Sequence, residues 1–357
     1  MYITAEYDNF INSIRSEVTK KQYDYLLKKY MKYQHFDTID ELLPKDHKLI
    51  ETDIIRYIVW LKQDQKLSSI SISQYVAAII HFYAMNDIVL NRKKIGRYVG
   101  DYIKTHKDRS YTYSEISQLL HFSDERAKAL VLLLASTGVR IGSVPGICLR
   151  HLKRITLYQL YQVTIYEGTR DEYYTFTTPE AASAIDTYLD FRSRSGELLK
   201  DDSLLFRQEF DWASVRNPKT MNVKALSKLL EDKLLRSGLT TRTHETETTK
   251  TGQKRNEVPR AHGFRKFVET NMIRAKLQPE IREMLLGHDL PSNVKSYYRP
   301  DESEVLEEYL KAVDLLTINE ENRLRRQVET LQVEKSQIDE LRNSLQSLRD
   351  RLNLPDG

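Results

Sequence analysis

Residues 261–267 read AHGFRKF, and the chain continues to LLGH at 285–288 and to SYYRP at 296–300. His262 and Arg265 are three positions apart, so they share one face of a helix. A guanidinium can bind two nonbridging oxygens of a phosphate as a fork. An imidazole can move a proton near neutral pH. The pair therefore suits phosphate chemistry, although the pattern H-x-x-R alone is common and mostly incidental.

The second feature is a histidine followed at a fixed distance by a tyrosine. Gly287 would end a helix as a C-cap residue does, so His288 would lie just past the helix end. Tyr297 follows nine residues later, next to Tyr298 and shortly before Pro300. The alternative for each of these positions is an ordinary structural role. A tyrosine before a proline, for example, often only packs against the core.

A third feature lies upstream, where residues 127–136 are apolar on nearly all sides and predict a buried helix. The residues Thr137-Gly138-Val139-Arg140 follow this helix. The glycine permits a tight turn, and Arg140 then emerges from an apolar anchor that would hold its position. The alternative is a structural arginine that caps carbonyl groups.

Together these motifs resemble the tyrosine recombinase, or phage-type integrase, family. The shared features are T-G-x-R at 137–140, H-x-x-R at 262–265, L-L-G-H at 285–288 and a tyrosine nine residues later. The residues within these motifs are most similar to those of archaeal chromosomal and viral integrases. The resemblance covers about residues 8–315 and implies a mainly α fold with a small β-hairpin or sheet (α+β).

The resemblance also implies a mechanism. Tyr297 would attack a DNA phosphate and form a 3′-phosphotyrosyl link, which keeps the bond energy for religation without ATP. Arg140 and Arg265 would hold the nonbridging oxygens and offset the charge of the transition state. His262 would take the tyrosine proton, and His288 would add a hydrogen bond to the phosphate or orient the attack. No metal or other cofactor is expected.

The sequence departs from the family pattern in two places. Relatives carry a lysine on the β-hairpin as general acid, and here Arg170 stands where that lysine is expected. Arginine gives up a proton less readily than lysine, so Arg170 would act by charge, or Lys250 or Lys254 would serve instead, or the chain would be impaired. Many relatives also carry an acidic residue shortly after the arginine, where this chain has Gly142-Ser143. The spacing favours Tyr297 over the adjacent Tyr298 as nucleophile.

Four segments are expected along the chain. Residues 1–100 would form a helical core-binding domain that contacts DNA, and residues 101–113 a linker, with an ordinary surface loop as the alternative. Residues 114–318 would form the catalytic domain and residues 319–357 a separate C-terminal helix. Apolar patterns predict helices over 8–34, 51–63, 127–136, 179–191 and 223–235, helices beginning near Ser68, Asn91 and Ser114, strands over 157–167 and 172–178, and a mobile loop or weak hairpin over 240–257.

Basic residues on the N-terminal helices are candidates for DNA contact. A solvated helix face is the alternative reading for any single one of them. The candidates are Lys20, Lys21, Lys28, Lys29, Arg92, Lys93 and Lys94.

The C-terminal segment carries an apolar residue every seven positions, which is typical of a coiled coil. The alternative is a single amphipathic helix folded back on the body. The repeat consists of Leu324, Leu331, Ile338, Leu345 and Leu352, with Leu341 and Leu348 as companions and with Gln327 and Glu334 weakening its first half.

Composition limits the remaining classes. The 357 residues carry a formal net charge of only +4, so clustering of the basic residues matters more than their sum. The single cysteine, Cys148, excludes an intramolecular disulfide framework and a cysteine-based zinc site. The first residues do not form a secretory signal, and no apolar stretch reaches the ~20 residues of a membrane span. We therefore expect a cytoplasmic, nucleoid-associated protein without a membrane partner.

The partner implied by the resemblance is double-stranded DNA at attachment sites, with four protomers assembled on two duplexes. The predicted function is integration or excision of a mobile element, including a viral genome. Two alternatives use the same fold. One is a type IB topoisomerase-like enzyme that relaxes supercoils, and the other is a DNA-binding protein that has lost cleavage.

Overall fold

The computed structural model of the chain describes residues 4–43, 46–101, 108–211, 213–239, 258 and 260–352. This part is mostly helical and contains one small antiparallel sheet, which confirms the predicted α+β class. The chain divides into two compact units. Among the described residues, one unit consists of residues up to 101 and the other of those from 108 onward.

The N-terminal unit is built from helices. They are α1 (Ala5–Asn12), α2 (Glu17–Gln34), α3 (His47–Gln63), α4 (Ser69–Met85) and α5 (Arg92–Val99). Their core includes the fully buried side chains of Phe10, Ile54, Ile58, Ile79 and Phe82.

The prediction of one helix over residues 8–34 was wrong, because residues 13–16 separate two helices, α1 and α2. Ser16 has extended backbone angles, and its hydroxyl accepts a hydrogen bond from the Thr19 amide at 3.4 Å, so it begins a new helix. The helix starts expected near Ser68 and Asn91 are confirmed. Both side chains accept a bond from the backbone amide three residues later.

The second unit is arranged around α7. Its helices are α6 (Tyr113–His121), α7 (Glu125–Thr137), α8 (Pro179–Arg194), α9 (Val223–Arg236), α10 (Arg260–Arg274), α11 (Pro279–Leu285), α12 (Ser292–Tyr297), α13 (Glu302–Leu316) and α14 (Glu320–Leu352). The buried helix predicted over 127–136 is confirmed as α7, which packs against α6, α8, α9, α10 and α13.

The start of α6 differs from the prediction. Thr112, and not Ser114, caps the helix, because Thr112 and Glu115 form reciprocal hydrogen bonds of 3.2 and 2.8 Å. The Tyr111 ring just before the cap is buried, with its centre 4.5 Å from that of Phe264. The last residues of the predicted linker therefore pack within the second unit, while residues 102–107 lie outside the described part of the chain.

The sheet has three antiparallel strands in sequence order, β1 (Leu152–Ile155), β2 (Leu160–Ile165) and β3 (Tyr173–Phe176). The predicted hairpin corresponds to β2 and β3, paired with Val163 opposite Thr175, although both strands are shorter than expected. Strand β1 was missed because its two central residues are exposed and basic, which leaves no apolar alternation to detect.

A buried ionic cluster stabilises the end of α8. The Glu197 carboxylate accepts hydrogen bonds from Arg192 at 2.6 and 3.0 Å and from Arg207 at 2.7 Å. All three side chains are at most 3% exposed. One carboxylate therefore serves two guanidinium groups, which also donate to backbone carbonyls.

The last helix begins at an anchored point. The Glu180 carboxylate accepts bonds from the amides of Ile318 and Asn319 at 2.7 and 3.0 Å. Further along α14 three seam residues are exposed, namely Leu324, Leu331 and Ile338. The described part of the chain contains no helix that is long and apolar enough to cross a membrane.

Candidate active site

The first site element is the turn after α7. Gly138 caps the helix with a φ of +64°, and a Cβ there would lie 2.9 Å from the Leu286 side chain. The turn leads to Arg140, whose Nη1 donates to the Gly287 carbonyl at 3.2 Å. The Ser143 hydroxyl donates to the Arg140 carbonyl at 2.8 Å. Ser143 stands where many relatives are expected to carry an acidic residue, and it supports Arg140 by bonding to the backbone carbonyl of that arginine.

Helix α10 supplies the second arginine. Arg265 is buried, and its Nη1 and Nη2 donate to the carbonyls of Gly138 at 2.8 Å and Leu286 at 2.6 Å. Burial and the nearby charge of Arg140 lower the pKa of Arg265. The two arginines are therefore neighbours, and each is held by carbonyl oxygens at the end of a helix.

His288 lies directly beside Arg265, as the motif analysis predicted for one shared site. Its Nε2 is 2.7 Å from Arg265 Nη2, and its Nδ1 is 2.5 Å from Glu283 Oε2. Gly287, just before it, has a φ of +65°, in agreement with the predicted helix end. The structure thus brings Arg140, Arg265 and His288 together.

His262 lies one helical turn before Arg265 on α10. Partial burial, followed by the positive charges of Lys266 and Arg265, lowers its pKa. A lowered pKa keeps the imidazole neutral near pH 7, which is the form that can accept a proton. The position on the shared helix matches the predicted H-x-x-R spacing.

The two tyrosines after the second histidine have different surroundings. Tyr297 ends α12 and is 92% exposed, and its hydroxyl bonds to none of the residues described by the structure. The Tyr298 hydroxyl donates to the Glu304 carboxylate at 2.8 Å and lies 3.1 Å from the Gln278 side-chain oxygen. Burial and the Glu304 contact raise the pKa of Tyr298 to about 12. Tyr298 is therefore anchored, while Tyr297 is accessible.

Arg170 occupies the exposed turn between β2 and β3. Within the described ranges, no hydrogen bond or ion pair connects Arg170 or Tyr297 with Arg140, Arg265 or His288. Lys250 and Lys254, the other candidates for the acid, lie outside the described residues.

Several of the candidate DNA-binding residues have partners within their own unit. Lys20 pairs with Glu17 and Lys28 with Asp24, each along one helix. Lys94 pairs with the buried Glu51 at 2.8 Å. Four candidates form no ion pair with the residues described here, namely Lys21, Lys29, Arg92 and Lys93.

Two site residues were missed by the sequence reasoning. Glu283 bonds to His288, and Tyr173 packs its ring against Gly287, so closely that a Cβ on that glycine would lie 2.4 Å away. The Tyr173 hydroxyl is buried without a partner among the described residues. Burial raises its pKa, and the charges of Arg265 and Arg140 oppose this shift. Neither residue belongs to a motif, so only the folded contacts reveal them.

The charge balance defines the site. Neither Arg140 nor Arg265 forms an ion pair with a carboxylate in the described part of the chain, unlike the buried pair Arg192 and Arg207, which share Glu197. Nor does that part hold a group of three or more His, Cys, Asp or Glu residues placed to bind a metal ion. The two guanidinium groups, with His288 beside them, thus form a positively charged group of the kind that can bind an anion.

The sequence profile of the phage integrase family matches residues 109–304, more than half of the chain. The chain therefore belongs to the phage integrase family, the tyrosine recombinases. No curated protein matches the chain in sequence.

Solved structures of recombinases share the fold. The Tn1549 transposon integrase in complex with circular intermediate DNA is 15% identical, with a TM-score of 0.55 over 85% of this chain and 98% of that one. The XerH site-specific recombinase bound to its difH substrate is 14% identical, with a TM-score of 0.50 over 81% of this chain and 78% of that one. At these identities the likeness shows the fold alone.

Proposed function

We propose that this protein cleaves and rejoins DNA at specific sites, with Tyr297 as nucleophile, and thereby integrates or excises a mobile element. The observation that carries the proposal is the pair of neighbouring arginines without a carboxylate partner. Two adjacent positive charges repel each other, and a bound phosphate would relieve that repulsion. The exposure of Tyr297 supports its role, because a nucleophile must reach DNA.

The chemistry follows from the groups present. The Tyr297 oxygen attacks the scissile phosphorus while its proton passes to the neutral imidazole of His262. The bond between phosphorus and the 5′-oxygen breaks, which leaves a 3′-phosphotyrosyl link and a 5′-hydroxyl. Arg140 and Arg265 bind the nonbridging oxygens and stabilise the charge of the pentacoordinate state. His288 orients the attack by holding the Arg265 guanidinium. Attack by a 5′-hydroxyl reverses these steps and rejoins the strand.

Arg170 is proposed to stabilise the departing 5′-oxygen by its charge. Its turn is exposed and directly follows β2, so it can approach bound DNA. Because a guanidinium holds its proton strongly, the leaving oxygen would take its proton from water or from another group. This arginine is also the observation that favours a second candidate function, namely a DNA-binding protein of the same fold that no longer cleaves.

The proposed partner is double-stranded DNA, and the proposed assembly is a tetramer on two synapsed duplexes. Both solved relatives named above were bound to DNA. The unpaired candidates Lys21, Lys29, Arg92 and Lys93 would contact phosphates. Binding would weaken steeply with salt, because each neutralised phosphate releases counterions. We also propose that α14 forms a coiled coil between protomers, that the protein acts at the nucleoid, and that it derives from an archaeal mobile element.

The decisive experiment uses a suicide substrate, a nicked attachment site that traps the covalent intermediate. We expect an SDS-stable protein–DNA adduct with the native chain and with Tyr298→Phe, and none with Tyr297→Phe. Tyr298 is the matched control, because it is adjacent but anchored by Glu304. If the native chain formed no adduct on any site of its element yet still bound that DNA, the non-cleaving function would be correct.

A further inference from the structure

A carboxylate on α11 holds one ring nitrogen of a site histidine. Glu283 Oε2 lies 2.5 Å from His288 Nδ1, and the Glu283 carbonyl accepts the His288 amide at 2.9 Å. The other carboxylate oxygen lies 3.2 Å from Arg282 Nη2. Burial alone would raise the pKa of Glu283, but the bonds from His288 and Arg282 lower it, so the group is a carboxylate at neutral pH.

The contacts on the two ring nitrogens define the tautomer of His288. The guanidinium of Arg265 can only donate, so Nε2, which is 2.7 Å from it, must accept. The ring proton is then on Nδ1, where it is donated to Glu283. The opposite tautomer would place an N–H against an N–H and a lone pair against a carboxylate. Glu283 therefore determines both the orientation and the protonated nitrogen of the ring.

We propose that Glu283 is a positioning residue for DNA cleavage, which keeps Nε2 of His288 as the acceptor that orients the Arg265 guanidinium toward the phosphate. This inference rests on the proposed function. In the Nδ1–H tautomer Nε2 carries only a lone pair, so it holds the Arg265 guanidinium while the remaining N–H groups of that side chain bind the phosphate oxygens. Without the carboxylate, the ring could rotate or change tautomer and would no longer hold the Arg265 guanidinium in place.

A purely structural role explains the contact poorly. The side chains of Glu283 and His288 are each about one-third exposed (32% and 33%), and partly exposed pairs of this kind contribute little to stability. Replacing Glu283 should therefore change the melting temperature little. Its effect on cleavage should be much larger and should depend on the presence of His288.

The test measures single-turnover cleavage of the nicked substrate and, separately, the Kd for DNA. Glu283→Ala should cleave about 10–100-fold more slowly, as is typical when a group supporting a site histidine is lost, with unchanged Kd. Glu283→Ala combined with His288→Ala should be no slower than His288→Ala alone. Fully additive losses, or an unchanged rate in Glu283→Ala, would overturn the proposal. Glu280→Ala, on the same helix, is the matched control and should keep the native rate.

A second measurement does not depend on cleavage. ¹⁵N NMR of the chain with labelled histidine should show His288 as the Nδ1–H tautomer, and Glu283→Ala should give a mixture or the Nε2–H form. A native Nε2–H tautomer, or a tautomer unchanged by Glu283→Ala, would contradict the positioning role. Failure of the native chain to form any adduct would instead contradict the proposed function.

Discussion

Arg265 donates to two backbone carbonyls and an imidazole, whereas Arg192 and Arg207 share a buried carboxylate. The three arginine side chains have the same chemistry, and the difference lies in their partners. A carbonyl orients a guanidinium but leaves its full charge, while a carboxylate cancels it. At the scale of single residues, this contrast separates arginines that can bind an anion from those that hold the fold together.

Gly287 is the residue at which the site tolerates least change. Its φ is +65°, and a Cβ would lie 2.4 Å from the Tyr173 ring. We expect Gly287→Ala to lose about 1–2 kcal/mol from the left-handed backbone and more from the clash. Because the Gly287 carbonyl holds Arg140, covalent adduct formation should also fall at least tenfold. Thermal unfolding and the suicide-substrate assay measure the two effects.

Gly238→Ala provides the matched control for this substitution. Gly238 has a nearly identical φ of +69°, but an added Cβ would meet no atom of the described residues within 4 Å. It should therefore show the backbone cost without the clash, and normal adduct formation. Equal stability losses in the two variants would show that the Tyr173 ring moves away freely.

Arg170→Lys tests the departure from the family pattern. A lysine releases a proton more readily than an arginine, so it can act as general acid for the leaving 5′-oxygen. We expect cleavage to be kept or increased in Arg170→Lys and reduced in Arg170→Ala, as measured by single-turnover rates on intact sites. Complete loss of activity in the lysine variant would show that the guanidinium has a different role, such as binding DNA with its planar fork.

The sequence predicted part of the site because the spacing within each motif determines where its residues lie relative to a helix. Arg140, Arg265 and His288 lie together as expected, since each follows or lies within a helix whose end the sequence marks. Tyr173 and Glu283 could not be found in this way. Their roles depend on where β3 and α11 meet in the folded chain, and no local pattern encodes that contact.

At the scale of elements, prediction succeeded for a helix that is buried on many sides. It failed where one or two polar residues determine the boundary of an element. The apolar residues at 127–136 predict the buried helix α7 directly. The break before α2 depends on a single hydroxyl, that of Ser16, inside an otherwise continuous helical pattern. Strand β1 is held by pairing with β2 and not by its own residues, two of which are exposed and basic.

The ionic cluster at the end of α8 should be a major stabilising feature. Glu197→Gln leaves the charges of two buried arginines without compensation, and breaking such a cluster costs about 3–5 kcal/mol. Urea unfolding at pH 7 measures the loss. Glu302→Gln is the control, because its pair with Lys153 is largely exposed and should contribute about 0–1 kcal/mol. Similar losses in both variants would contradict this assignment.

The same cluster gives stability a defined pH dependence. Burial alone would raise the pKa of Glu197, but hydrogen bonds from Arg192 and Arg207 lower it. A carboxyl with a lowered folded pKa stabilises the protein above its unfolded pKa, about 4.3. That contribution is lost as the pH falls through the folded value. The native chain should therefore lose its advantage over Glu197→Gln on acidification, as measured by unfolding midpoints from pH 7 to pH 3.

At the scale of the whole molecule, α14 exposes apolar side chains that a single chain leaves uncovered. Its seam residues Leu324, Leu331 and Ile338 are 52%, 62% and 49% exposed. We expect deletion of residues 319–357 to lower the oligomer mass or the yield of synapsed DNA. Analytical ultracentrifugation and a recombination assay measure these outcomes.

Leu331→Asp makes the same test with less disruption. Because this side chain is exposed in the single chain, the substitution should leave the melting temperature of the monomer unchanged while it weakens assembly. Unchanged sedimentation and recombination in both variants would remove the coiled coil from the proposal.

The carbonyls that hold the two arginines have a consequence for how such a protein can diversify. Gly138, Leu286 and Gly287 contribute backbone oxygens, which most side-chain replacements leave in place. The reactive geometry is thus insulated from changes elsewhere on the surface. If the two arginines bind the phosphate as proposed, new target sequences can be acquired by altering residues that face the bases, while the phosphate contacts stay unchanged. An engineer seeking altered site preference has the same freedom, provided that the two glycines are kept.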